Sequence, residues 1–369
     1  MGIPAETFAT DALFQPLKLG RIEVANRMAM APLTRSRAND ALEPTDMVVE
    51  YYRQRAGVGL IIAEATQISA TAQGYTHTPG IHTPGQIAAW KQVTDAVHAK
   101  GGKIFVQLWH TGRMSHNAFQ PNQQAPVAPS AIAPKAKTYI VGQGYVDCAV
   151  PRALETAEIA GVVNDFRQAA ANAIAAGFDG VEIHGAHGYL IDAFLRDGSN
   201  HRTDAYGGSI ENRARFLLEV MAAVTQEIGA DRTGIRLSPV SPVNDSSESN
   251  PQPLFEHVVR ELEKLHPVYI HVVEGHTGGP RDNAPFDYEA LRRLYSGIWM
   301  VNNGYTKEMA VEALRSGRAD MVSFGRAMIT TPDLPRRFRD NLPLNEPFAD
   351  APVYGGTGPH GYTDYPALP

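Results

Sequence analysis

Short apolar runs alternate with segments of helical periodicity along most of the chain. Eight of these runs are typical of strands buried on both faces of a parallel sheet, because they are continuously apolar rather than alternating. They occupy residues 27–31, 59–65, 103–108, 180–184, 234–237, 268–273, 298–302 and 321–324. Eight strands that alternate with helices predict an α/β protein, a (β/α)8 TIM barrel.

The segments between the runs predict amphipathic helices. Apolar residues recur at helical spacing from 87 to 97, behind a Thr-Pro-Gly-Gln sequence at 83–86 that resembles a capping box with proline in the first turn. Three further apolar faces follow candidate N-cap residues at Thr156, Ser209 and Thr306. These helices supply the outer layer that a parallel barrel requires.

The chain is longer than a minimal barrel. Such a barrel takes about 250 residues, and additional length is placed in loops. The largest surplus, residues 111–152, is rich in Pro, Ala and Gln and follows the third predicted strand. We therefore predict a lid insertion there, and one domain covering residues 1–369. A second polar, turn-rich insert occupies residues 241–253.

Composition excludes several classes of partner. The net charge of −6 carries no electrostatic signature of a nucleic-acid or anionic-membrane partner. No stretch approaches the roughly 20 apolar residues that span a bilayer, and residues 1–13 lack the pattern of a secretory signal. The one cysteine, Cys148, cannot form an internal disulfide, and we assign it a structural role. We expect a cytoplasmic monomer or homodimer.

The end of the fourth predicted strand carries the most informative chemistry. His184, His187 and Tyr189 follow this strand directly, and side chains at strand ends of α/β proteins point into a crevice. Two imidazoles can donate hydrogen bonds to one oxygen, and a phenol can deliver a proton nearby. A pair of metal ligands and a pair of structural histidines are the alternatives at this point.

Other strand ends offer groups for a cofactor. Gly304 and Gly325 follow the seventh and eighth strands, where these barrels often bind phosphate. Arg326 can add a bidentate, charge-assisted contact to a phosphate there. Gln107 can donate and accept, which suits the imide edge of a heterocycle, and Arg236 would stabilise negative charge on a reduced ring. Alternatively, the glycines only form tight turns, and Gln107 and Arg236 belong to a structural ion pair or hydrogen-bond network.

Several motifs in order resemble the old yellow enzymes, the FMN-dependent ene-reductases, and most closely their N-ethylmaleimide reductase-like branch. The resemblance extends from residue 13 to residue 365. The segments that carry it are residues 26–35, 64–66, 107–113, 128–131, 184–190, 200–213, 323–326 and 361–366.

The resemblance implies FMN as cofactor and NADPH or NADH as the hydride-donating cosubstrate. It assigns Thr34 to the flavin C4 carbonyl, and it disfavours a metal at the histidine pair. The other implied flavin contacts are Pro32, Leu33 and Ala65, or its neighbour Ala63, at the ring, Gln107 and Arg236 at the pyrimidine edge, and Asn303, Gly304, Gly325 and Arg326 at the phosphate.

The resemblance also implies the reaction. His184 and His187 would bind the carbonyl, imide or nitro oxygen of an electron-poor alkene, flavin N5 would deliver a hydride, and Tyr189 would protonate the other carbon. Tyr75, Trp109 and Tyr354 would line the substrate cavity. Residues 302–305 and the insert 241–253 depart from the family pattern, which bears on cofactor affinity and substrate preference.

Three alternatives remain open from sequence. A related flavoenzyme acting on nitrate esters or nitroaromatics would use the same site. A flavin-free barrel isomerase or aldolase acting on a sugar phosphate predicts a lysine or an acid pair at the strand ends. A non-catalytic flavin-binding protein predicts colour without turnover and leaves the His-His-Tyr cluster unexplained.

Overall fold

The computed structural model describes residues 12–368 of the chain. Eight parallel strands close into a barrel, which confirms the predicted fold class. In chain order, the strands are β1 (Leu17–Leu19), β2 (Ile22–Val24), β3 (Met28–Met30), β4 (Leu60–Gln67), β5 (Ile104–Trp109), β6 (Val127–Ala128), β7 (Lys137–Ile140), β8 (Gly144–Asp147), β9 (Arg152–Ala153), β10 (Gly180–Gly185), β11 (Thr233–Leu237), β12 (Tyr269–Val273), β13 (Ile298–Asn302) and β14 (Met321–Phe324). The barrel wall runs β3-β4-β5-β10-β11-β12-β13-β14, and β14 pairs with β3.

The register places successive strand ends side by side. Ile183 of β10 pairs with Leu108 of β5 on one side and with Ile235 of β11 on the other. One residue further on, His184 pairs with Arg236. Because all eight strands are parallel, their carboxyl ends surround one mouth of the barrel.

Helices cover the outside of the barrel and enclose the main core. Trp90, Phe166 and Phe216 are fully buried between these helices and the wall. The helices span Asp46–Gln54, Pro84–His98, Thr156–Ala175, Leu190–Leu195, Ile210–Ile228, Pro251–Leu265, Tyr288–Arg293, Lys307–Arg315, Arg326–Thr330 and Leu334–Arg339. Short 3₁₀ turns occupy Ala70–Ala72, Asn117–Phe119, Pro121–Gln123 and Ala230–Arg232.

The amino end of the barrel is closed by the β1–β2 hairpin. Leu19 and Val24 of the hairpin are fully buried in one cluster with Phe105, Tyr269 and Met300 of the wall. This apolar plug removes water from the lower barrel, so the carboxyl end is where polar groups meet a cavity.

Three of the four predicted helix starts are confirmed. The Thr83 hydroxyl accepts from the Gln86 N–H at 3.3 Å, and Ser209 and Thr306 cap their helices in the same way. Thr156 was a wrong assignment, because the cap is Glu155, whose N–H donates to the Glu158 carboxylate at 2.8 Å. Thr156 is the first helical residue, and its hydroxyl donates to Asp204.

The predicted lid is present after the third barrel strand. Its centre is the antiparallel hairpin β7–β8, and β6 pairs with β9 at its base. The hairpin is fixed by the buried Thr138, whose hydroxyl donates to the Gly74 carbonyl at 2.6 Å. Cys148 is buried beside Met114, and burial raises the pKa of its thiol to about 11, as suits the structural role assigned to it.

The C-terminal segment returns to the barrel mouth. The buried Arg35 donates to the carbonyls of Val353 and Gly361 at 2.8 and 2.9 Å, and its guanidinium lies 4.9 Å from the Tyr362 ring. This contact brings Tyr354 to the mouth. Among residues 12–368, no helix is both long and apolar enough to cross a membrane.

A carboxyl group is buried in the wall beside this anchor. Glu64 of β4 is 1% exposed, and it accepts from the Tyr52 hydroxyl at 3.3 Å and from the Arg35 N–H at 3.4 Å. Burial outweighs these donors and raises the pKa of Glu64 to about 7. Between about pH 4.5 and pH 7, the Glu64 carboxyl therefore holds a proton in the folded state that it releases in the unfolded chain.

We expect this proton to make stability depend on pH. Because the folded pKa lies above the usual 4.5, the contribution of Glu64 to the free energy of unfolding falls as pH rises from about 4.5 to about 7. Urea unfolding of the wild type and of Glu64→Gln at several pH values measures the difference. The wild type should lose stability relative to Glu64→Gln across this window, whereas the exposed Glu289→Gln should track the wild type. Parallel profiles for wild type and Glu64→Gln would contradict the assignment.

Candidate active site

A cavity of about 1160 Å³ opens at the carboxyl ends of the barrel strands. Every predicted site residue lines it, whereas Ala63, the alternative to Ala65, does not. The predicted residues that meet there are Pro32, Leu33, Thr34, Ala65, Tyr75, Gln107, Trp109, His184, His187, Tyr189, Arg236, Asn303, Gly304, Gly325, Arg326 and Tyr354. The barrel thus joins residues that are separated by as many as 322 positions in the chain, from Pro32 to Tyr354.

A tight turn presents the two histidines and the tyrosine. β10 ends at Gly185, and His187 and Gly188 both adopt left-handed backbone with φ of 62° and 72°. Left-handed backbone at a residue other than glycine is strained, and such strain is often found at functional sites. Tyr189 then caps the helix Leu190–Leu195. The turn aims three side chains into the cavity within six residues.

The imidazoles are held in a nearly dry, cationic environment. His184 and His187 are 4% and 7% exposed, and their ring centroids are 5.5 Å apart. Burial, and next the charge of Arg236, lower both pKa values well below the ordinary histidine value. Both rings are therefore neutral near pH 7 and carry one N–H each. The buried Nδ1 of His184 has no hydrogen-bond partner among the described residues.

Tyr189 lies at the centre of an aromatic cluster. Its ring centroid is 4.8 Å from that of Trp109 and 4.9 Å from that of His184, in edge-to-face geometry. Its hydroxyl lies 3.1 Å from the Tyr75 hydroxyl. Burial raises the pKa of Tyr189 to about 12, so the phenol keeps its proton through neutral pH. The group is a proton donor and not a base.

A buried polar chain fixes the orientation of Gln107. Its amide nitrogen donates to Glu182 Oε1 at 2.8 Å, and the other carboxylate oxygen contacts His271 Nδ1 at 2.8 Å. His271 Nε2 in turn contacts the Ser323 hydroxyl at 2.7 Å. Because a carboxylate only accepts from an amide, the amide oxygen of Gln107 is left as an acceptor for a ligand N–H.

Arg236 supplies a positive charge without a carboxylate partner. It is 5% exposed, donates to Asn302 Oδ1 at 2.7 Å, and forms no salt bridge with another described residue. Its buried Nε has no hydrogen-bond partner among the described residues. A lone buried guanidinium costs several kcal/mol unless an anion or a strong acceptor completes it. This charge is a feature of a binding site.

The far end of the cavity has room for a phosphate. Gly304 has a φ of 66°, and a Cβ built on it meets no atom within 4 Å. Arg326 donates to the Gly278 carbonyl at 3.1 Å and remains exposed beside this turn. The Asn303 side chain bonds the carbonyls of Glu274 and His276 at 2.7 and 2.9 Å, which anchors it to the neighbouring loop.

Sequence reasoning missed several lining residues. Thr277 bonds His187, Asn244 bonds its carbonyl, and the lid contributes Lys137, Tyr139 and Tyr145 to the rim. Thr277 and Asn244 lie in loops, and the three lid residues lie on a hairpin outside the barrel wall, so the strand-end pattern of the sequence marks none of them as functional. No aspartate or glutamate lines the cavity within residues 12–368, and no group of three His, Cys, Asp or Glu side chains there could hold a metal ion.

The polar groups that line the cavity fit FMN. The Gln107 oxygen can accept from an imide N–H, the unpaired Arg236 matches the negative edge of a flavin, and the open turn at Gly304 accommodates a phosphate. Fold and site together have the features of a flavin-binding (β/α)8 barrel.

Known proteins of similar sequence and structure support a flavin-binding barrel. The profile of the NADH:flavin oxidoreductase / NADH oxidase family matches residues 12–345. The chain is 48% identical over 364 residues to the putative 12-oxophytodienoate reductase 11 of Oryza sativa subsp. japonica, covering 98% of this chain and 99% of the relative.

Two solved structures superpose on nearly the whole chain. Morphinone reductase in complex with tetrahydroNAD matches with a TM-score of 0.91 at 46% identity, covering 97% of this chain and 98% of that one. The old yellow enzyme homologue from Zymomonas mobilis matches with a TM-score of 0.92 at 43% identity, covering 96% and 99%. The chain therefore belongs to the NADH:flavin oxidoreductase / NADH oxidase family, the old yellow enzyme family of FMN-dependent oxidoreductases.

We expect Arg326→Ala to weaken FMN binding. Loss of one exposed charge-assisted contact to a phosphate should raise the Kd by about tenfold, which corresponds to about 1.4 kcal/mol. Titration of the apoprotein with FMN, followed by flavin fluorescence, measures the affinity. Arg260→Ala, which removes an exposed arginine outside the cavity, is the control. Equal affinities for Arg326→Ala and the control would contradict a phosphate at this end.

Proposed function

We propose that the protein is an FMN-dependent NAD(P)H:alkene oxidoreductase that reduces the C=C bond of α,β-unsaturated carbonyl, imide or nitro compounds. The observation that carries the proposal is the placement of two neutral imidazoles and a protonated phenol in the cavity that holds Gln107 and Arg236. Oxygen-binding donors and a proton donor are the groups that this reaction requires from a protein.

Each end of the cavity has a role in holding the cofactor. Gln107 and Arg236 would hold the pyrimidine edge, and Thr34 would contact the ring near its C4 carbonyl. Pro32, Leu33 and Ala65 would line the ring, and the phosphate would be held by Asn303, Gly304, Gly325 and Arg326. When bound, FMN would supply the hydride for the alkene, with NADPH or NADH as its source.

Side chains bind the substrate oxygen and supply the proton. N–H groups of His184 and His187 bind the substrate oxygen and stabilise the negative charge that grows on it, which makes the β-carbon electrophilic. Tyr189 donates its proton to the α-carbon, and Tyr75 supports the phenol through the 3.1 Å contact of the two hydroxyls. Tyr75, Trp109 and Tyr354 line the substrate space.

The composition of the cavity disfavours the other enzyme class. A sugar-phosphate isomerase or aldolase needs a lysine or an acid pair at the strand ends. Within residues 12–368, the lining has no acid and one lysine, Lys137, which lies on the lid hairpin. The morphinone reductase structure contains tetrahydroNAD, which supports a nicotinamide as cosubstrate. The choice between NADPH and NADH, the cytoplasmic location and the monomeric or dimeric state stay predictions from sequence.

An anaerobic visible spectrum tests the proposal. The purified protein is reduced with NADPH, or with NADH in a parallel sample, and then mixed with 2-cyclohexenone. Bleaching of a yellow flavin band followed by its return is expected. Colour that returns only with a nitroaromatic would restrict the substrate class. Absence of protein-bound flavin after addition of FMN and removal of the excess would overturn the proposal.

Tyr189→Phe should slow reoxidation by the alkene about a hundredfold or more, because a general acid contributes at least about this factor. Bleaching by the nicotinamide should change little, since that step needs no proton from the phenol. Stopped-flow absorbance resolves the two half-reactions. Tyr75→Phe keeps the Tyr189 hydroxyl and should have a smaller effect. Equal slowing of both half-reactions in Tyr189→Phe would contradict a proton-donor role.

Removal of both imidazoles should abolish binding of phenol-type ligands. A phenolate oxygen occupies the position of the substrate oxygen, and the variant His184→Ala/His187→Ala lacks both donors for it. Spectral titration of the oxidised flavoprotein with a substituted phenol gives the Kd. The surface variant His201→Ala should bind the phenol as the wild type does. An unchanged Kd in the double variant would show that the oxygen site lies elsewhere.

A further inference from the structure

His187 is bonded by a residue that the proposed reaction does not use. The Thr277 hydroxyl lies 2.7 Å from His187 Nε2, and Thr277 belongs to the loop that follows β12. Behind it, the Ser241 hydroxyl lies 3.2 Å from the Thr277 hydroxyl and accepts from the Thr277 N–H at 3.3 Å. A short chain of hydroxyl groups therefore ends on one nitrogen of the imidazole.

The backbone of His187 is held as firmly as its ring. Its N–H donates to the Ser238 hydroxyl at 2.9 Å, and its carbonyl accepts from the Asn244 amide at 2.8 Å. These bonds stabilise the left-handed conformation of His187. Its Nε2 is occupied by Thr277, and no partner for Nδ1 is found among the described residues. Nδ1 is the nitrogen left for a ligand.

A neutral imidazole has one N–H, so the direction of the Thr277 contact decides what Nδ1 can do. If Nε2 carries the proton and donates to Thr277, Nδ1 presents a lone pair and repels a negatively charged oxygen. If the Thr277 hydroxyl donates to Nε2, the proton resides on Nδ1, which can then donate to the substrate. Burial and Arg236 lower the pKa of His187, which disfavours the doubly protonated ring.

We propose that Thr277, supported by Ser241, is a positioning residue that selects the Nδ1–H tautomer of His187. In this arrangement, the Ser241 hydroxyl donates to Thr277, the Thr277 hydroxyl donates to Nε2, and Nδ1–H faces the oxygen of the substrate. Thr277 lines the cavity, but in this role it acts through His187 and not on the substrate. The inference rests on the proposed function, because it gives His187 a donor role toward the oxygen of an activated alkene.

Nitrogen NMR of the holoenzyme tests the tautomer directly. Selective labelling with ¹⁵N-histidine distinguishes Nδ1–H, Nε2–H and doubly protonated rings, and the spectrum of His187→Ala identifies the signals of His187. We expect Nδ1–H in the wild type, its loss in Thr277→Val, and its recovery in Thr277→Ser. Nε2–H or a doubly protonated ring in the wild type would overturn the proposal, as would Nδ1–H in Thr277→Val.

Phenol binding gives a second readout on the same variants. Thr277→Val should bind a substituted phenolate about tenfold more weakly, the equivalent of about 1.4 kcal/mol, and Thr277→Ser should restore the affinity. Flavin absorbance of each variant reports that the cavity is intact. Weak binding by Thr277→Val that serine does not restore would overturn the proposal. A wild type that binds no phenol and returns no flavin colour with cyclohexenone would instead refute the proposed function.

Discussion

Closure of the parallel barrel is the constraint on which the site depends. Parallel strands place all their carboxyl ends at one mouth, and the pairing of β14 with β3 brings residues from both ends of the chain to it. The β1–β2 hairpin fills the opposite end with apolar side chains. Polar groups inside the wall can therefore meet a ligand at the upper end alone, and this geometry makes the mouth both rigid and partly dry.

Electrostatics divides this mouth into two layers. The carboxylate of Glu182 on β10 does not line the cavity and is engaged by Gln107 and His271. The cavity lining itself contains cations but no carboxylate among the described residues. Arg236 forms no salt bridge with another described residue, and its charge adds to burial in keeping the two imidazoles neutral. Burial and this one cation together lower the pKa values of both imidazoles.

Loops after the barrel strands hold the turn at His187 in place. The strained turn at His187 persists because Ser238, Asn244 and Thr277, which all follow later strands, bond it from three directions. The lid hairpin adds an exposed aromatic rim, with Tyr139 and Tyr145 at 46% and 71% exposure. The strands hold His184, Gln107 and Arg236, whereas His187 and Tyr189 lie in a turn that neighbouring loops support, and loops are where relatives of one fold can differ in substrate.

The sequence by itself determined the barrel, because eight continuous apolar runs separated by helical periods allow few other arrangements, and it located the lid. It also placed His184, Tyr189, Gln107 and Arg236 at strand ends, since the residues after each strand share one mouth. The helix start at Thr156 was misplaced by one residue, because Glu155 caps through a glutamate partner that the pattern did not single out. Only the tertiary structure brought Thr277 and the Glu182 network to the site, since loop contacts and buried hydrogen bonds between distant strands leave no periodic trace in a sequence.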